Sequence, residues 1–163
     1  MFSNDMKHTI VVGVDGSDSS RRALVWALDE ARDRHLQLLL VEVVDLGLAA
    51  ASPYSGGAFA ELREAGSMAL DQEVAFARDR GVPVEGRLEL ATPANALVEA
   101  SKGAALLVVG SRGRGGLTGM LLGSVSTACV HHAHCPVVVI PAPDRHTEQI
   151  DHGSAVPVEH AVS

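Results

Sequence analysis

The clearest chemistry in this chain lies in a glycine-rich stretch, Gly110-Ser111-Arg112-Gly113-Arg114-Gly115-Gly116-Leu117-Thr118-Gly119. After Met120-Leu121-Leu122 it continues as Gly123-Ser124-Val125-Ser126. Glycine lets successive backbone N–H groups turn toward one anion without a Cβ in the way, which makes a concave anion nest. If Gly123-Ser124 opens a helix, its first N–H groups and its positive dipole end favour the same anion. The hydroxyls of Ser124 and Ser126 can add donors, and Arg112 and Arg114 add positive charge. The chemistry indicated is the holding of a phosphate. Neither G-x-x-x-x-G-K-[S/T] nor G-x-G-x-x-G is present, so the glycines by themselves also fit a plain connecting loop.

The elements around this loop follow from periodicity. Residues 8–14 (HTIVVGV) and 36–44 (LQLLLVEVV) are short apolar runs of the kind that form fully buried strands. Between them, Asp15-Gly16-Ser17-Asp18 carries turn chemistry and a helix N-cap. Ala23, Leu24, Ala27, Leu28 and Ala31 then recur at helical spacing. A loop over 46–57 leads to a helix over 58–80 that stops at Gly81. A third strand covers 82–90, and a helix over 93–101 has Thr92 as cap and Pro93 at its first position. A fourth strand (105–109) precedes the glycine loop, a last helix spans 123–134, and a fifth strand spans 136–140.

The order βαβαβαβαβ demands parallel strands with right-handed crossovers, hence an open five-stranded α/β sheet with helices on both faces. Ligands of such sheets sit beyond the carboxyl ends of the strands where the strand order reverses. The turns after the first and fourth strands should meet there. Residues 1–7 read as a short extension, 8–142 as one domain, and 143–163 as a loose, aperiodic tail.

Composition sets outer limits. The chain has 163 residues, 47% hydrophobic and 3% aromatic, so its core must be built from Ala, Val and Leu. A formal net charge of −7 argues against a general nucleic-acid or anionic-membrane surface. No run approaches the roughly 18 apolar residues of a membrane span, and residues 1–7 lack signal-peptide character. Cys129 and Cys135 form neither a disulfide framework nor a C-x-x-C motif, which fits a reducing cytoplasm. His131, His132, His134 and Cys135 suggest a metal cluster only superficially, because on a helix His131 shares a face with His134 or Cys135 but not with His132. No metal site is expected, and Cys129 should pack against the sheet. Ser55-Gly56-Gly57 follows the second strand rather than the first, so it reads as a connector.

The spacing Gly110-x-x-Gly113, nine residues, then Gly123-Ser124 resembles the G-2x-G-9x-G-[S/T] motif of the ATP-binding branch of the universal stress protein family. The resemblance runs from about Thr9 to Pro141. It includes Val11-Val12-Gly13-Val14-Asp15-Gly16-Ser17, Val108-Val109-Gly110-Ser111-Arg112-Gly113 and Cys135-Pro136-Val137-Val138-Val139. The fold it implies is Rossmann-like, of the adenine nucleotide alpha hydrolase-like kind.

The resemblance further implies that Asp15 contacts the nucleotide and that Gly13 and Val14 border the adenosine. Val43, rather than Val41, would line the adenine, and Val109 would flank it. Gly110, Arg112, Gly113, Gly123, Ser124, Val125 and Ser126 would hold ribose and phosphates. For Asp15 a ribose hydroxyl is a better partner than a metal, although a simple turn role also fits. Two positions depart from the family: Glu42 stands where His is common, and Gly103-Ala104-Ala105 lacks an acidic residue found in many relatives.

By the same resemblance, the expected cofactor is ATP; whether Mg²⁺ travels with it, held by phosphates and waters, is left open. The expected partner is a second copy joined through the edge strand Pro136-Val137-Val138-Val139-Ile140, together with an unidentified downstream protein. The expected function is regulatory binding during stress, in which nucleotide occupancy changes shape or partner preference, with no catalytic residue assigned. Slow ATP hydrolysis or autophosphorylation on Ser111, Thr118 or Ser124 is the enzymatic alternative. A nucleotide-free scaffold or a flavoprotein of the same fold class are the others.

Overall fold

The computed structural model describes residues 5–45, 47, 57–113 and 121–142. After a 3-10 turn at Met6–His8 come β1 (Thr9–Val14), α1 (Asp18–Arg34), β2 (Gln37–Asp45), α2 (Ala58–Arg78) and β3 (Val84–Ala91). Then follow α3 (Pro93–Ala100), β4 (Leu106–Gly110), α4 (Ser124–His132) and β5 (Val137–Ile140). The strands form one sheet in the order β3-β2-β1-β4-β5, and every pairing is parallel. The α/β architecture expected from the sequence is the one found. The strand order reverses between β1 and β4, so the C-terminal ends of these two strands define the switch point.

Alternation along the strands sends side chains to opposite faces of the sheet. Ile10, Val12 and Val14 of β1 join Leu38 and Leu40 of β2 beneath Ala23, Leu24, Ala27 and Leu28 of α1 and Leu70 and Ala77 of α2. Val11, Leu39, Val41, Leu107 and Val109 face the other way, against Leu97 of α3 and Cys129 of α4. Cys129 is fully buried there, as its helical position predicted. Each such buried Val or Leu contributes roughly 1.5–3 kcal/mol, which fixes the central strands and thereby the ends that carry the site.

Several boundaries differ from the sequence reading. α2 ends at Arg78 rather than Arg80, because Arg80 and Gly81 close tight turns onto Ala77 and Arg78 carbonyls and Gly81 takes φ 77°. The end of α1, for which the sequence reading set no bound, is Arg34, closed by His35 in the left-handed conformation. β3 starts at Val84 and lies on an edge, with half of its residues exposed. Thr92 occupies the N-cap of α3 but its side chain makes no capping bond. α4 stops at His132 because Ala133 is extended. The expected tail at 143–163 and most of the 46–57 loop, Ser55 and Gly56 included, lie outside the described residues.

Candidate functional site

The turn after β1 is built by local polar chemistry. Gly16 takes φ 74°, a conformation that L side chains rarely adopt, and so reverses the chain within one residue. The Ser17 N–H donates to Asp15 Oδ1 at 2.9 Å, an Asx turn that fixes the carboxylate. Ser17 caps α1 by accepting from the Ser20 N–H at 3.2 Å. The Ser20 hydroxyl donates to the Ser17 carbonyl at 3.0 Å and accepts from the Asp15 N–H at 3.4 Å.

The end of β4 and the segment after it approach the start of α1 and this turn so closely that a side chain on Gly110 or Gly113 would force its neighbour to shift. A Cβ on Gly110 would lie 2.7 Å from the carbonyl carbon of Ser19, and one on Gly113 would lie 2.6 Å from Asp15 Oδ2. The start of α4 closes the third side. Gly123 is its N-cap and supplies no side-chain cap. The N–H groups of Ser124, Val125 and Ser126 stand in the first turn, where a helix offers no acceptor of its own. They are therefore the helix's donors toward an anion, reinforced by the dipole.

Ser126 departs from the sequence reading in one respect. It is buried, and its hydroxyl is directed at the carbonyls of Ser111 and Gly123, each at 3.0 Å. A hydroxyl has one proton to give, so here it holds the loop to the helix rather than adding a side-chain donor to the anion.

These pieces enclose a cavity of about 560 Å³. The twelve residues that the resemblance assigns to the nucleotide line it: Gly13 and Val14 at the end of β1 with Asp15 just after it, Val43 on β2, Val109 and Gly110 at the end of β4 with Arg112 and Gly113 after it, and Gly123, Ser124, Val125 and Ser126 at α4. Val41 lines it too but is 1% exposed, whereas Val43 stands partly open. The sequence reading missed the wall from α2, made by Leu62, Ala65 and Gly66, and the wall from α3, made by Pro93 and Leu97. The stop and cap signals that placed these two helices in the sequence carry no information about which turn meets a cavity. Glu42, noted only as a departure from the family, is a buried carboxylate in the same lining.

The histidine group lies apart from this site. His131 and His132 close α4 with ring centroids 6.2 Å apart. Arg114 and Thr118 lie outside the described residues.

Comparison with known proteins adds the family. The model of the universal stress protein family matches residues 6–141. The chain belongs to the universal stress protein family. A universal stress protein of Mycolicibacterium smegmatis is 40% identical over 141 residues, covering 85% of this chain and 47% of that one. The chain thus spans about half the length of the mycobacterial universal stress proteins it matches. Among solved structures, a universal stress protein in complex with cAMP aligns with TM-score 0.58 and 30% identity, covering 82% of this chain and 96% of that one. The Archaeoglobus fulgidus universal stress protein in complex with dAMP aligns with TM-score 0.60 and 26% identity, covering 83% and 98%.

Proposed function

We propose that this universal stress protein binds an adenine nucleotide, ATP first among them, and that occupancy regulates its conformation or its choice of partner in a stress response. The observation that carries the reading is the convergence of the Asp15 turn, the Gly110 to Gly113 segment and the uncapped start of α4 on one cavity. The residues present fit such a ligand. Gly113 leaves a cradle that a Cβ would fill, α4 offers first-turn donors, and the volume suits a drug-sized or nucleotide-sized molecule. Val43, Val109 and Leu97 supply the apolar wall for a base, while the α4 start and Arg112 receive the phosphates. Asp15 accepts from a ribose hydroxyl. The nucleotide complexes of two structural relatives support an adenine base.

In this reading Mg²⁺, where it accompanies ATP, is carried by the phosphates and waters. The chain pairs with a second copy through β5, the edge strand whose four residues are all partly exposed. Two free cysteines, Cys129 and Cys135, fit residence in the reducing cytoplasm. Self-phosphorylation gains no support from Ser111, which is 5% exposed and whose hydroxyl accepts from the Ala142 N–H at 2.9 Å.

Isothermal titration of the purified chain with ATP and Mg²⁺ tests the reading. Saturable binding near one per chain, weakened in Gly113→Val, is expected; no heat with ATP, ADP or cAMP would overturn it.

A further inference from the structure

Both halves of the cavity's polar rim are tied to the same carbonyl, that of Ile140 at the end of β5. The Ser111 N–H donates to it at 2.7 Å, which brings in the segment after β4. The Ser19 hydroxyl donates to it at 3.3 Å, which brings in the start of α1 beside the Asp15 turn. Ser111 extends the connection in two more directions. Its carbonyl accepts from the Gly123 N–H at 2.7 Å and from the Ser126 hydroxyl at 3.0 Å, so it anchors the start of α4. Its own hydroxyl accepts from the Ala142 N–H at 2.9 Å, two residues beyond Ile140.

We propose that Ser111 and the Ile140 carbonyl couple the nucleotide cavity to the edge strand β5, so that an occupied cavity is reported at the sheet edge and at the segment leaving it. The inference rests on the nucleotide reading above and names how that site is regulated. The physical ground is economy of freedom. A ligand bridging the Asp15 turn, Gly113 and the α4 start holds three segments in one arrangement. Two of them meet Ile140 directly and the third meets it through Ser111. Ordering the cavity therefore orders the bonds at the end of β5, and by linkage anything that holds β5 favours the nucleotide. The readout is therefore taken at the hydrogen bonds that end β5 and at the segment leaving it.

Amide hydrogen exchange supplies that readout, since it reports local opening residue by residue. Exchange is followed on the full chain with and without saturating ATP and Mg²⁺, occupancy being checked by calorimetry in the same samples. The N–H groups of Ser111 and Ala142 are expected to exchange at least about fivefold more slowly with nucleotide. In Ser111→Ala the Ala142 N–H loses its acceptor, so its nucleotide-dependent protection should disappear while that of the residue 111 N–H persists. Ser19→Ala lies outside the cavity lining; it should halve or abolish the slowing at residue 111 while leaving nucleotide affinity within about twofold. Calorimetric binding with unchanged exchange at both amides would overturn the coupling and leave the nucleotide reading intact. Absence of binding to any nucleotide would overturn both.

Discussion

Asp15 and Gly113 stand so close across the switch point that a Cβ on Gly113 would lie 2.6 Å from Asp15 Oδ2. One residue follows β1 and the other follows β4, nearly a hundred positions later in the chain. The missing side chain is what lets the two halves of the cavity close on each other. Gly113→Ala should push the Asp15 carboxylate out of its Asx turn and weaken nucleotide binding by at least about tenfold, ~1.4 kcal/mol. In an Asp15→Ala background the same change should cost much less, because contacting residues do not behave additively. Titration calorimetry on the four proteins measures the difference; equal losses in both backgrounds would contradict the contact.

Gly110 makes a different approach, to the side chain and the backbone of Ser19 together. A methyl group there meets the Ser19 carbonyl carbon at 2.7 Å, and α1 cannot retreat without disturbing its packing on β1 and β4. Gly110→Ala should therefore lower global stability by about 1–3 kcal/mol, the usual cost of overpacking. The urea midpoint measures this, and an unchanged midpoint would show that α1 moves freely.

The buried thiol of Cys129 predicts a pH dependence. Burial, aided by the nearby Cys135, pushes it up from the ordinary thiol value to about 11. Folding therefore favours the protonated thiol, and the unfolded chain ionises first. Stability from this group is complete below about pH 9 and falls as pH rises toward 11, by on the order of 2 kcal/mol. Cys129→Ala should flatten that part of the stability–pH curve even if it lowers stability overall.

β5 offers a test of association. The carbonyls of Pro136 and Ile140 accept from Leu107 and Ser111 of the β4 side. By the alternation of a strand, the N–H of Val139 then points to the free edge. Proline there removes an edge donor without taking a bond from β4. Sedimentation should show a dimer for the wild type and a folded monomer for Val139→Pro; a wild-type monomer would contradict pairing through β5.

Much of the architecture was legible because the central strands are written in an unambiguous pattern. The apolar runs of β1, β2 and β4 are buried on both faces, and their alternation with helices demands a parallel sheet covered on both sides. The loop was legible for another reason: Gly110 and Gly113 mark places of close approach, and Gly123 marks the N-cap of α4. What stayed hidden depended on tertiary placement. Nothing in the periodicity of α2 marks Leu62, Ala65 and Gly66 as a cavity wall. Ser126 looked like an anion donor because its hydroxyl chemistry allows it; only the position of the Ser111 and Gly123 carbonyls redirects the proton. The end of α2 was misread by two residues because Asp79 and Arg80 can continue a helix locally, and the turn onto Gly81 decides otherwise.

The most direct test is to denature the purified protein and chromatograph whatever nucleotide it releases, then to titrate the emptied chain with ATP and Mg²⁺. Either an adenine nucleotide released at close to one per chain, or saturable binding of added ATP that Gly113→Val abolishes, is the predicted result. No released nucleotide and no binding of ATP, ADP or cAMP would contradict it, leaving a scaffold built on a nucleotide-binding fold.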